Sequence, residues 1–74
     1  MTIGESIKKH RKAKGLWQKE LADSMGVQQC QISHWETGRQ FPSILSCITL
    51  ADALGVTLDE LVGRNIHKQY IQKG

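Results

Sequence analysis

One proline, two cysteines and four aromatic residues are all that this chain of 74 residues offers of the types that dictate a fold by themselves. Cys30 and Cys47 form no CxxC and have no second pair, which excludes a disulfide framework and leaves cytosolic free thiols as the expectation. The aromatics Trp17, Trp35, Phe41 and Tyr70 are too few to fill a core, so Leu, Ile, Val and Ala at helical spacing must do so. No apolar run is long enough to span a bilayer, and no charged-then-apolar leader opens the chain, so a cytoplasmic location is expected. There is no catalytic triad, no carboxylate pair and no Gly-rich phosphate loop, and no enzyme, cofactor or small-molecule ligand is expected. A composition of 39% hydrophobic and 23% charged residues describes a globular chain rather than a disordered one. Its length allows one core, marginal by itself, which makes a homodimer a reasonable expectation.

Charge is unevenly placed. Residues 1–41 hold seven of the ten Lys and Arg against four of the seven acids, while three bases balance three acids from residue 42 onward. Lys8, Lys9, Arg11, Lys12 and Lys14 supply most of the net +3. A first half that faces a polyanion would look like this. A solvated helix face would too, so charge alone decides nothing.

Glycine does the punctuating. Gly15, Gly26, Gly38, Gly55 and Gly63 cut the chain into segments of helical length, and Pro42 follows the third of them. Helices are predicted over about 3–14, 18–25, 28–36 and 43–54, with a fifth from about 57, and no segment alternates as a half-buried strand does. The fold class is all-α. Thr2 with Glu5, and Thr57 with Glu60, have the spacing of capping boxes. The expected inward stripes are Ile3, Ile7, His10 and Arg11; Leu21, Ala22 and Met25; Ile44, Cys47, Ile48, Ala51 and Leu54; and Leu58, Leu61 and Val62. Leu45 sits off the fourth stripe and could mark a protein contact. Arg11, in line with apolar residues, requires a partner, because an unpaired buried charge is very costly. Residues 1–63 read as one domain. Residues 64–74 read as a short tail whose Ile66, Tyr70 and Ile71 form an amphipathic turn, an arm against a second subunit, or a frayed end.

The stretch GVQQCQISHWETG, residues 26–38, carries the most specific signal. Gly26 takes a sharp turn at little steric cost, Ala22 lets two short helices cross closely, and Leu21, Val27, Ile32 and Trp35 fill the wedge between them. This is a helix-turn-helix arrangement, whose second helix can enter the major groove. At about 100° per residue, Ile32 and Trp35 point inward; Cys30, Ser33 and His34 then point outward, with Gln29 beside them. Gln31 falls at the boundary and Gln28 at the helix mouth. A Gln amide can bond an adenine bidentately, and Ser or His can meet several base edges. Glutamines decorating a solvated helix are the plainer alternative.

The segments GLWQKELADSMGV, ISHWETGRQFPS and LADALGVTLDEL resemble the lambda-repressor-like (Cro/repressor) helix-turn-helix family over roughly residues 3–62. Gln18, Ala22, Gly26, Ile32, Trp35, Glu36, Gly38 and Pro42 fall in its order and spacing. The resemblance implies five helices, a sequence-specific regulator (a repressor above all) that reads double-stranded DNA with the third helix, and a two-fold dimer on a pseudo-palindromic operator. It implies base reading by Gln29, Cys30 and His34, to which the rotation adds Ser33 and Gln31. It implies phosphate contacts from Gln18 and from the loop of Thr37, Gly38, Arg39 and Gln40; Gln28, Trp17 and Lys19 at the two helix mouths join that set, and Lys12 and Lys14 add diffuse attraction. Finally, it implies an ion pair between Arg11 and Glu36. Two positions depart from the pattern: Trp17 stands where the family usually has a capping Thr or Ser, and Gln28 where it often has Ser.

Three other readings compete with this one. Cys30 and His34, four apart, have ligand spacing, but two ligands make no structural metal site. Cys30 as a redox switch needs an acidified thiol. An antitoxin-like interaction subunit, with DNA binding secondary, is the alternative from a different class.

Overall fold

The structure, a computed structural model, describes residues 2–62. Five helices follow one another there: α1 (Ile3–Ala13), α2 (Gln18–Met25), α3 (Gln29–Thr37), α4 (Ile44–Leu54) and α5 (Leu58–Val62). No strand occurs among the described residues. The tail with Ile66, Tyr70 and Ile71 lies outside them.

The helix starts follow from local chemistry. At α1 the Thr2 N–H donates to Glu5 Oε1 at 2.8 Å, and the Glu5 N–H donates to Thr2 Oγ1 at 3.1 Å, so two free donors are satisfied reciprocally. Thr57 and Glu60 repeat this at α5, with distances of 2.9 and 3.1 Å. In both boxes the backbone N–H of the Thr, then its hydroxyl, holds the carboxyl below the ordinary Glu range. Ser43 Oγ accepts from the Ser46 N–H and starts α4. At α2 the capping residue is Trp17, whose indole has a donor and no acceptor. Only the Glu20 half of the box forms there, Oε1 accepting from the Trp17 N–H at 2.8 Å. Gln28 caps α3 without any side-chain bond, and that helix runs one residue later at each end than its periodicity suggested.

Gly26 closes α2 at φ 71°, and the Val27 N–H bonds back to the Ala22 carbonyl at 3.0 Å. That left-handed turn aims α3 across α2, and most other residues would adopt it only at a cost of about 1–2 kcal/mol.

All five helices contribute to one core. Ile7, Leu21, Ile32, Leu50 and Leu61 are wholly buried, joined by Ala22, Trp35, Cys47, Ala51 and Leu54. Each of the five large aliphatic chains contributes roughly 1.5–3 kcal/mol by leaving water. Burial also pushes the Cys47 thiol pKa up. α1 packs on α3, α4 and α5, and α2 packs on α3 and α4. The α1–α3 contact is close because Gly4 has no side chain: a Cβ there would lie 2.7 Å from the Glu36 carbonyl oxygen and closer still to that of Trp35. The buried Ser6 donates to the Glu60 carbonyl at 3.5 Å. The half-buried His10 places Nε2 3.3 Å from the same oxygen, which ties α1 to α5.

One stripe is corrected. Ile44 and Ile48, expected inward, are 67% and 45% exposed, and the buried face of α4 is Cys47, Leu50, Ala51 and Leu54. Both sets have the same i, i+3, i+4, i+7 spacing. The helix is apolar at so many positions that periodicity fits either; packing against α2 and α5 selects the second.

Candidate nucleic-acid interface

The platform that presents α3 is built around one carboxylate. Arg11 Nε donates to Glu36 Oε2 at 2.6 Å, and Arg11 Nη2 donates to Oε1 at 3.1 Å, with the two side chains 8% and 3% exposed. Arg11 Nη1 donates to the Leu16 carbonyl at 2.8 Å. Gln18 Nε2 completes the set, donating to Glu36 Oε1 at 3.1 Å. One carboxylate thus holds α1 to the start of α2 and the end of α3. No buried side-chain N or O atom among the described residues lacks a partner, the condition under which a buried pair orients rather than destabilises.

Against that platform α3 buries Ile32, Trp35 and the Glu36 carboxylate and opens its first turn outward. Gln28, Gln29 and Cys30 are exposed; Gln31, Ser33 and His34 are half-buried. The first turn is open, and the second is partly covered at its edges. Gln31 Nε2 donates to Gln40 Oε1 at 3.3 Å, which bridges the helix to the loop behind it. Cys30 Sγ lies 3.5 Å from Gln28 Oε1.

Beside the open turn lies a cleft of about 490 Å³ lined by Arg11, Lys12, Trp17, Gln18, Lys19 and Gln29. It brings the end of α1 and the starts of α2 and α3 to one place. Trp17 is 76% exposed, so its indole is not packed away against α1. Lys19 makes a 3.7 Å pair with Asp23 between two open side chains, which is worth little and leaves the ammonium available. Lys14 reaches elsewhere: its Nζ would lie 3.5 Å from a Cβ on Gly55, at the end of α4, where the helix dipole favours a cation.

Thr37, Gly38, Arg39 and Gln40 are exposed at the far end of α3. The Arg39 and Gln40 N–H groups both donate to the His34 carbonyl, at 2.9 and 3.2 Å, and Thr37 Oγ1 donates to the Ser33 carbonyl at 2.9 Å. The backbone donors here are consumed in closing the helix, so Arg39 and Gln40 have their side chains to offer. Sequence reasoning missed the Gln18–Glu36 and Gln31–Gln40 bonds, since separations of 18 and 9 carry no periodic signal. Among the described residues no group of three or more His, Cys, Asp or Glu could hold a metal ion, and no helix is long and apolar enough to cross a membrane.

Five helices, a left-handed turn between α2 and α3 and an outward-facing third helix define a class, and the chain belongs to it: the helix-turn-helix family matches over residues 7–61. Among sequenced relatives it is similar to the transcriptional repressor RstR of the cryptic phage CTXphi in Vibrio cholerae, 34% identical over 64 residues that cover 86% of this chain and 57% of RstR. It therefore spans little more than half the length of that relative. Among solved structures it is similar to the P22 c2 repressor in complex with a synthetic operator, with a TM-score of 0.80 at 29% identity over 88% of this chain and 98% of that one. It is also similar to SinR, a master regulator for biofilm formation, in complex with DNA, with a TM-score of 0.76 at 36% identity over 81% and 97%.

Proposed function

We propose that this chain is a sequence-specific regulator of transcription, of the repressor type, that binds double-stranded DNA as a homodimer with α3 in the major groove. The observation that carries the proposal is the open first turn of α3, where Gln28, Gln29 and Cys30 stand exposed on a helix whose other side is locked into the core. Gln29 is the first candidate for base reading, with Cys30, Ser33, His34 and Gln31 around it. Gln18, Gln28, Trp17 and Lys19 contact phosphate on one flank, and Thr37, Gly38, Arg39 and Gln40 on the other. Gln18 gives one amide proton to Glu36, which leaves its second amide proton for a phosphate.

The role is binding rather than catalysis, in the cytoplasm where the DNA is, on an operator whose two-fold symmetry matches the dimer. The DNA complexes of the P22 c2 repressor and of SinR among its structural neighbours favour this reading over an antitoxin-like interaction subunit. Selection of bound sequences from a random duplex pool, with affinities measured at two salt concentrations, tests it. A recurring two-fold motif and a log–log salt slope near −0.9 per phosphate contacted are expected. A flat salt response, or a pool that yields no motif, would overturn the proposal.

A further inference from the structure

Trp17 is the wrong residue for the place it occupies in the fold. The start of α2 needs a side-chain acceptor for its free N–H groups, and an indole, with one donor and no acceptor, supplies none. Nor does the core use it. Trp17 is 76% exposed, whereas Trp35, the other tryptophan of the chain, is 3% exposed. A large ring held in water where a cap belongs adds little to the monomer, so its use lies in what meets it.

The surroundings say what that is. Trp17 lines two adjoining clefts, one shared with Lys12, Gln18, Lys19 and Gln29, the other with Lys12, Gly15 and Leu16. It therefore stands beside two ammonium groups and next to the open turn of α3. Lys12 is exposed, and Lys19 is held only by its open 3.7 Å pair with Asp23. Such lysines draw the phosphates of a DNA strand. Between one phosphate and the next lies a deoxyribose, whose carbon atoms are the apolar part of the backbone.

We propose that the Trp17 indole lies flat on one deoxyribose at the edge of the half-site, beside phosphates drawn by Lys12 and Lys19, with Nε1–H turned to one of them. The inference rests on the proposed function and adds to it an apolar contact in a surface otherwise made of charges and hydrogen bonds. Trp17 then sets affinity and position and reads no base. Its share of the binding releases no counterion, so salt does not screen it.

The two tryptophans make the test direct. In the free chain acrylamide, an uncharged quencher, should reach Trp17 and spare the buried Trp35; a selected duplex should protect Trp17. Trp17→Thr restores a capping acceptor and removes the ring. It should melt at least as high as the wild type, by up to ~4–8 °C more if the cap forms fully. It should bind every duplex about tenfold more weakly with the wild-type salt slope, since no cation is lost. Lys19→Gln should instead make that slope shallower by about 0.9 per protomer. Trp17→Phe, which keeps a flat apolar face without the N–H, should recover most of the lost affinity. An indole that stays open to acrylamide on bound DNA would overturn the inference. So would a Thr variant that binds as tightly as wild type, prefers another motif, loses salt slope, or melts lower, the last making Trp17 a residue of the fold. A wild type that binds no duplex defeats the proposed function and this contact with it; one that binds its motif with Trp17 unprotected defeats the contact alone.

Discussion

α3 and α4 are neighbouring helices that each bury one side in the same core, and their outer sides could hardly differ more. The open turn of α3 presents two amides and a thiol, with a hydroxyl and an imidazole at its edge. The open turns of α4 present three branched aliphatic chains, Ile44, Leu45 and Ile48, and Phe41 stands exposed in the loop before them. A surface of the first kind loses little by staying wet and gains by meeting a partner that supplies donors and acceptors in register, as base edges do. A surface of the second kind is poorly solvated until something apolar covers it. One small domain thus carries two outer surfaces of opposite chemistry, and the core between them keeps their angle fixed.

The comparison breaks most completely if the angle is lost. Arg11→Ala leaves Glu36 buried without its cation and should cost roughly 3–5 kcal/mol in urea denaturation; an unchanged midpoint would remove the pair from the account. Gly4→Ala forces a methyl into the backbone of α3. It should cost about 1–3 kcal/mol, or more where the helices cannot separate, although alanine is the better helix former. A variant as stable as wild type would show that α1 and α3 have room to yield.

The next changes sharpen the contrast. Gln29→Ala should lose roughly 1–3 kcal/mol on the preferred duplex and relax preference at one base position; an equal loss on every sequence would demote it to a backbone contact. Arg39→Ala should weaken all duplexes alike and make the salt slope shallower by about 0.9 per protomer, and a changed motif would show it reading bases instead. The smallest effect concerns acid. Glu5 and Glu60 have carboxyl pKa values lowered by their capping bonds, so their stabilisation is complete above the unfolded-state pKa and disappears as pH falls through the lower folded one. Glu5→Gln with Glu60→Gln should flatten the acid limb of a plot of melting temperature against pH. An unchanged limb would place the acid sensitivity elsewhere.

Sequence alone was enough for every helix and for the turn at Gly26, because caps and glycines act locally and leave signatures three to five residues long. It was enough for the buried side of α3, where Ile32 and Trp35 are the large apolar residues and admit one rotation. It failed on α4 for the opposite reason. Ile44, Leu45, Cys47, Ile48, Leu50, Ala51 and Leu54 are all apolar, two faces compete, and Leu50 was passed over although nothing in the core is more buried. That ambiguity is itself informative, since a helix with two apolar sides has one more than a single core can use. Gly4 escaped notice because its work is the close approach of two backbones rather than a turn. The Glu36 hub was legible only in part: the need of Arg11 for a partner follows from its place on a stripe, whereas the bond from Gln18 depends on how α2 crosses the end of α3.

The central claim is that the open side of α3 is the surface that meets DNA. Amide chemical shifts of the nitrogen-15-labelled chain, followed while a selected duplex is added, test it most directly. Changes should concentrate at residues 17–19, 28–34 and 37–40 and be small at the buried ends of α4 and α5. Shifts confined to α4 and α5, with residues 28–34 unmoved, would contradict it.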